Sequence, residues 1–119
     1  MEEVNIYNKS QKVKDHWNPR IVGELNGQHL KLVKVLGKFL WHKHDNEDEM
    51  FIVWKGSLQI ELPDKTVDLN EGEFIVIPKG TRHRSIANNE AQLLLFEPAG
   101  TINTGDKKSD LTVQAPEKI

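Results

Sequence analysis

The 119-residue sequence contains no cysteine, and this absence restricts the kinds of site that it can carry. Disulfide bonds, thiolate nucleophiles and every zinc or iron–sulfur site with cysteine ligands are excluded. A bound metal would therefore have to be held by nitrogen and oxygen atoms. Five histidines are available for that role.

The sequence also lacks an excess of positive charge and a long apolar run. Sixteen Lys and Arg residues against 18 Asp and Glu residues give a formal charge of −2, which provides no basic field for a nucleic acid partner. The longest apolar run, residues 50–54, is far shorter than the roughly 20 residues of a membrane helix. The first residues are too polar for a signal peptide. We therefore expect a cytoplasmic protein that binds neither nucleic acid nor membranes.

Short runs of alternating apolar and polar residues recur between glycine, proline, asparagine and aspartate, which predicts an all-β fold of one domain. Asn26 and Gly27 lie between two apolar runs and predict a hairpin with a type I′ turn. A further turn is predicted at Asn88 and Asn89. We divide the chain into an N-terminal extension (1–17), a β domain (18–100) and a polar C-terminal tail (101–119). The predicted strands cover residues 21–25, 29–36, 37–42, 50–54, 57–62, 66–69, 74–77, 82–87 and 92–97.

Alternation within the strands predicts which side chains form the core. Residues 57–62 are apolar at every second position, so one face of this strand is expected to be buried. The predicted core contains Leu58, Ile60, Leu62, Phe74 and Leu94. Residues 50–54 and 74–77 are apolar on both faces, which indicates cover by a second subunit or by the termini of the chain itself.

Three histidines and one glutamate form a candidate ligand set. His42 and His44 are two residues apart and share a face on an extended chain, Glu49 follows a polar loop, and His83 follows a turn over 78–80. Each alone has an ordinary explanation as a polar strand residue or part of a solvated acidic loop. Together they suit Mn, Fe, Ni, Cu or Zn rather than Mg or Ca, and the sequence does not choose among the five.

Two spaced motifs include these residues and resemble those of the cupin superfamily. The first motif comprises Gly37, His42, His44, Glu49 and Gly56, and the second comprises Gly72, Pro78, Gly80, His83 and Asn88. Gly37 is one residue closer to His42 than is usual, and Asn88 comes one residue late. The resemblance implies a single-domain jelly-roll β-barrel over residues 18–100, with all four metal-ligand positions filled. The chain also resembles small mannose-6-phosphate-isomerase-like cupins in fold and motifs.

The resemblance leaves two classes of function open. The first is a metal-dependent enzyme of the isomerase, lyase or dioxygenase type that acts on a small polar substrate such as a sugar or a carboxylate. The second is a non-catalytic module that binds or senses a small molecule. No further nucleophile or base in the sequence identifies a reaction, so the catalytic residues are unknown. Arg82 and Arg84 are placed by alternation on the face opposite His83, which favours surface or interface roles over phosphate binding.

Cupins generally pair, and the doubly apolar strands add to the expectation of a homodimer. Trp41, Trp54 and Ile86 are candidate interface residues.

Overall fold

Strands account for nearly all of the regular secondary structure of the protein, a computed structural model that describes residues 1–119. The elements are α1 (Ile6–Ser10), β1 (Arg20–Leu25), β2 (Gln28–Lys38), β3 (Glu49–Lys55), β4 (Leu58–Glu61), β5 (Thr66–Leu69), β6 (Phe74–Ile77), β7 (Arg84–Pro98) and β8 (Glu117–Lys118). The prediction of a β-rich fold is confirmed. The five-residue α1 is the only helix, and no helix has the length and apolar character needed to cross a membrane.

The β1–β2 hairpin forms where the sequence predicts it. Asn26 and Gly27 have φ angles of 50° and 76°, the left-handed values that a type I′ turn requires at both central positions. Leu25 and Gln28 close the turn as paired residues.

The central strand β7 pairs with β2 along one edge and with β4 and β3 along the other. β2 pairs along most of its length, β4 pairs with its first part through contacts such as Glu61 with Arg84, and β3 pairs with its second part. The predicted turn at Asn88 and Asn89 is wrong, because these residues lie in a bulge within a continuous strand. The pairing moves from Val35–Ala91 to Gly37–Ala87, which leaves three exposed residues of β7 without partners on β2.

The predicted strand over residues 37–42 is also wrong in part. β2 continues to Lys38, after which the chain leaves the sheet and returns to it only through an isolated bridge between His42 and His83. Gly37 has a φ of 86°, and the regular β2–β7 register is interrupted next to it. The first two ligand candidates therefore lie on an irregular segment rather than within a strand.

The main core is built from the inward residues of β2 to β7. Leu58 and Ile60 are buried in it as predicted, and Leu62 is half-buried against it. The prediction that Phe74 belongs to the core is wrong. Phe74 is 59% exposed, and alternation along β6 turns Ile77 inward instead. The full cluster contains Val33, Val35, Phe51, Val53, Leu58, Ile60, Leu69, Ile77, Ala87, Ala91, Leu93 and Leu95.

A second apolar cluster covers the outer face of β3. Val13, Val22, Leu32 and Leu94 form its buried part, so the predicted core residue Leu94 belongs here rather than to the main core. Ile52 and Trp54 of β3 pack against it together with Ile6 from α1 and Ile119 from the C-terminus. Of the two explanations for the doubly apolar residues 50–54, cover by the chain's own termini is therefore the one that the structure supports.

Candidate metal centre

The structure brings together His42, His44, Glu49 and His83. All four side chains are buried, and one possible ligand atom from each lies within 4.8 Å of the others. His42 and His44 lie on the segment that follows β2, Glu49 is the first residue of β3, and His83 directly precedes β7. Residues far apart in the sequence thus converge at one point.

Backbone hydrogen bonds hold the histidine-bearing segments in place. The N–H of His42 donates to the carbonyl of His83 at 3.0 Å, and the N–H of His83 donates back at 2.9 Å. The N–H of Gly80 donates to the carbonyl of His44 at 2.7 Å, so the turn after Pro78 is tied to the His42–His44 segment. On β3, Glu49 shares the inward face with Phe51 and Val53.

Two of the histidines have a fixed tautomer. Nδ1 of His42 lies 2.9 Å from the carbonyl of Leu40, and Nδ1 of His83 lies 2.8 Å from the carbonyl of Thr81. A carbonyl oxygen can only accept, so each Nδ1 carries the proton and donates it. In the neutral imidazole Nε2 then carries the lone pair, which is the arrangement that metal-binding histidines adopt.

The other candidate ligand atoms have no hydrogen-bond partner in the protein. Nε2 of His44, Nε2 of His83 and Oε1 of Glu49 are buried and unpaired, although Oε1 lies 3.3 Å from the first and 3.4 Å from the second. Buried polar atoms without partners are costly. One divalent cation among these atoms would satisfy all of them, so the residues present fit a metal with nitrogen and oxygen ligands.

The electrostatics of the group favour a neutral imidazole at His42 and an ionised carboxylate at Glu49. Burial lowers the pKa of His42 to about 4, with a contribution from the nearby His83. Burial alone would raise the pKa of Glu49, but its contacts with His44 and His83 outweigh this and hold it below its ordinary value. Burial acts to lower the pKa of His44, yet the carboxylate of Glu49 raises it overall.

Two functional candidates were not predicted, namely Lys31 on β2 and Glu97 on β7. Their side chains are 2% and 1% exposed, and Nζ donates to Oε1 at 2.9 Å. Glu97 faces Glu49 across β3 and β7, and burial together with the Glu49 charge raises the pKa of Glu97 well above its ordinary value. Both residues occupy inward positions, in phase with Val33 and Leu95, so a charged residue at a core position was the available signal.

A small cavity of about 40 Å³ is lined by two of the four residues, His42 and Glu49. Its wall includes His42, Glu49, Ser85 and Asn103 as polar groups. The apolar part of the wall consists of Trp17, Pro19, Val33, Val35, Phe39, Phe51, Leu93 and Leu95. The Trp17 ring stacks on Phe39 at 4.8 Å, and Phe39 meets the ring of His42 edge-on at 5.4 Å. The N-terminal extension and the C-terminal tail thus each contribute to this cavity.

The two arginines after Gly80 lie outside the centre. Arg82 is exposed, and Arg84 points away from His83, where it pairs with Glu61 at 3.2 Å and lies over the ring of Trp41. This orientation agrees with the alternation predicted from the sequence.

Comparison with known proteins places this geometry in a family. The family model for the Cupin domain matches residues 31–97. The chain is 35% identical over 82 residues to the uncharacterized protein YdbB of Bacillus subtilis, which covers 68% of this chain and 73% of that protein.

Two solved structures are similar over most of their length. A cupin-2 domain containing protein from Shewanella frigidimarina is 43% identical with a TM-score of 0.79, and the match covers 80% of this chain and 93% of that one. Protein NMB1881 from Neisseria meningitidis is 30% identical with a TM-score of 0.76, covering 82% and 100%. The motifs, the fold and these matches agree, and the chain belongs to the Cupin domain family.

Proposed function

We propose that this protein is an enzyme that uses one divalent transition metal, Mn, Fe, Ni, Cu or Zn, held by His42, His44, Glu49 and His83. The observation that carries the proposal is the convergence of four buried donor groups within 4.8 Å, three of whose atoms have no protein partner. When bound, such an ion supplies Lewis-acid or redox chemistry to an oxygen-bearing ligand.

The cavity wall limits the chemistry of the ligand. His42 and Glu49 mark the polar end, Ser85 and Asn103 offer two further hydrogen-bonding groups, and the other lining residues are apolar. A sugar carries several hydroxyl groups, which would be left without partners against such a wall. The wall therefore favours a small carboxylate with an apolar body over a sugar.

The volume of the cavity also constrains how the ligand enters. About 40 Å³ is far below the roughly 300 Å³ or more of a pocket that holds a drug-sized ligand. A larger ligand requires part of the wall to move. Trp17 is the suitable part, because it belongs to the extension rather than to the sheet and its φ of 59° is strained for an aromatic residue.

A second candidate function, binding without turnover, is favoured by one specific observation. Apart from the proposed ligands, the only polar side chains on the cavity wall are Ser85 and Asn103, neither of which is an ordinary acid or base near neutral pH. A metal-anchored module that captures a small molecule would need no more than this.

Metal analysis of protein purified without a nickel column, followed by turnover assays with keto-acid, aromatic carboxylate and sugar panels, tests the proposal. We expect one ion per chain, and turnover of a carboxylate by an isomerase, lyase or dioxygenase reaction. His44→Ala should lower the metal content, whereas His16→Ala, which alters a histidine paired with Glu90 outside the centre, should not. Saturable ligand binding without turnover would favour the binding module, and a chain that binds none of the five metals would refute both.

A further inference from the structure

The buried Lys31–Glu97 pair is not explained by stability alone. Removing two charges from water is expensive, and an apolar pair of similar volume is often at least as stable as a buried ion pair. Both side chains are nevertheless almost fully buried, with Nζ and Oε1 2.9 Å apart. Nζ also donates to the carbonyl of Thr101 at 3.3 Å, so the lysine is held from two sides.

The pair lies beside the proposed metal centre. β3 and β7 pair Met50 with Phe96, so Glu49 and Glu97 are the next residues to face each other across these strands, and both are buried. Oε1 of Glu97 accepts from Lys31, and its Oε2 is buried without a hydrogen-bond partner. Lys31 and Glu97 therefore place a carboxyl oxygen that lacks a partner next to the carboxylate of Glu49.

The other proposed ligands show what such a contact does. His42 and His83 are each oriented by a backbone carbonyl that accepts their Nδ1 proton. No backbone N–H donates to Glu49; apart from the imidazoles that would share the metal with it, Glu97 is the polar side chain that faces it across β3 and β7. Outer partners of this kind orient ligands, and their loss typically weakens metal binding by about 10- to 100-fold.

We propose that Lys31 and Glu97 are positioning residues, which hold the carboxylate of Glu49 toward the three histidines and thereby strengthen metal binding. This inference rests on the proposed function, because it requires that the centre binds a metal. Lys31 acts only through Glu97: it fixes one carboxyl oxygen so that the other is directed at Glu49.

The competing explanation is that the pair serves folding alone, by anchoring the chain at Thr101. The two explanations differ in their effect on metal affinity in a folded protein. Three variants separate them. Glu97→Gln keeps the shape and an acceptor for Lys31, and its amide N–H can donate to Glu49. Glu97→Leu removes the polar contact, and the double variant Lys31→Met with Glu97→Leu removes it without leaving a lone buried charge.

The experiment measures the Kd for Co²⁺ and for Zn²⁺, the visible spectrum of bound Co²⁺, and the melting temperature of the metal-free protein. We expect Glu97→Leu and the double variant to raise both Kd values by about 10- to 100-fold and to change the Co²⁺ spectrum. Glu97→Gln should stay within about threefold of wild type, since its amide N–H can hold the carboxylate of Glu49 in the same way. The matched control Glu61→Leu removes the carboxylate of the outward Glu61–Arg84 pair and should leave Kd unchanged.

A folded double variant with wild-type Kd values and an unchanged Co²⁺ spectrum would overturn the inference while leaving the proposed function intact. Wild-type protein that binds neither ion would instead refute the metal centre itself, together with this inference. The double variant keeps the test decisive if Glu97→Leu alone does not fold, because it leaves no unpaired charge in the core.

Discussion

The three histidines of the proposed centre have different surroundings. Nδ1 of His42 and Nδ1 of His83 donate to backbone carbonyls, whereas neither ring nitrogen of His44 has a hydrogen-bond partner. His42 is also the one whose pKa is lowered to about 4 by burial and by the nearby His83. It therefore resists protonation in the folded chain.

The lowered pKa of His42 predicts a loss of stability in acid for the metal-free protein. An unfolded histidine takes up its proton near pH 6.5, whereas folded His42 does so only near pH 4, so the unfolded state binds more protons between these values. Stability due to this residue is complete above pH 6.5 and is lost as pH falls towards 4, by at most roughly 3 kcal/mol.

The measurement is the melting temperature of chelated protein between pH 7.5 and pH 4.5. His42→Asn should lose less stability than wild type across this range. The raised pKa of His44 has the opposite effect on stability. The stabilisation due to His44 is present below pH 6.5 and is lost at higher pH. Parallel curves for wild type and His42→Asn would show that His42 is not the source of the acid effect.

At the scale of elements, the C-terminal tail is the segment that holds the first histidines from outside the sheet. Asp106 accepts from the N–H of Lys43 at 3.0 Å, and its own N–H donates to the carbonyl of Lys43 at 3.0 Å. Gly105 lies so close to this segment that an added Cβ would collide with the carbonyl of Lys43 and approach Cδ2 of His42 to 3.2 Å. The tail thus supports His42 through contacts between loops.

Gly105 of the tail and Gly100, which directly precedes the tail, predict a matched experiment. Gly105→Ala and Gly100→Ala both place alanine at a positive φ, 57° and 89°, which costs about 1–2 kcal/mol each. Only Gly105→Ala also forces Lys43 and His42 to move, so we expect a further loss of about 1–3 kcal/mol. Chemical denaturation measures this difference, and a parallel Co²⁺ titration should show weaker binding for Gly105→Ala alone. Equal stability and affinity for the two variants would mean that the tail does not support the centre.

At the scale of the whole molecule, the core and the metal centre are separate. The main core contains twelve apolar residues and none of the four proposed ligands. The fold should therefore survive metal removal, unlike a zinc finger, which needs its ion to fold. The ion still stabilises the folded state by mass action.

We expect a chelator to lower the melting temperature while the far-ultraviolet circular dichroism at 25 °C stays that of a β protein. The difference between metal-loaded and chelated protein should shrink below about pH 6.5, because protons compete with the ion for the histidines. Identical melting curves at every pH would mean that these residues hold no metal that affects stability.

The homodimer stays a prediction, and the structure changes where its interface is expected. Ile86 is buried within the chain and Trp54 packs on the second cluster, so neither offers a free apolar surface. Phe74 and Val76 are 59% and 46% exposed, and both lie on the outer face of β6, which pairs only with β3. An exposed apolar face on an edge strand is suited to pairing with a second copy.

Light scattering at micromolar concentration should give the mass of a dimer for wild type and of a monomer for the variant Phe74→Glu with Val76→Lys. Leu25→Lys is the control, since Leu25 is 52% exposed but lies at the end of β1 beside the hairpin turn. A monomeric wild type would reject the homodimer, and a dimeric double variant would place its interface elsewhere.

Sequence patterns predicted those features that depend on neighbouring residues. Asn26 and Gly27 specified a turn through their backbone preferences, and alternation placed Leu58 and Ile60 in the core. The wrong predictions have the same origin, since sequence patterns describe only neighbouring residues. Asn88 and Asn89 have the composition of a turn, yet strands on both sides of β7 hold the chain extended, and the two residues form a bulge instead.

The sequence by itself determined the β-rich fold, the hairpin and the four residues that converge at the candidate centre, because short-range periodicity and motif spacing carry that information. Tertiary structure alone decided what surrounds them. Lys31 and Glu97 are 66 residues apart, and no local pattern shows that their charges meet in the core next to Glu49. The apolar cover of Ile52 and the place of Trp17 in the cavity wall likewise depend on chain ends that pack against distant strands. Such contacts arise only when the whole chain folds, since burial is a property of the assembled structure.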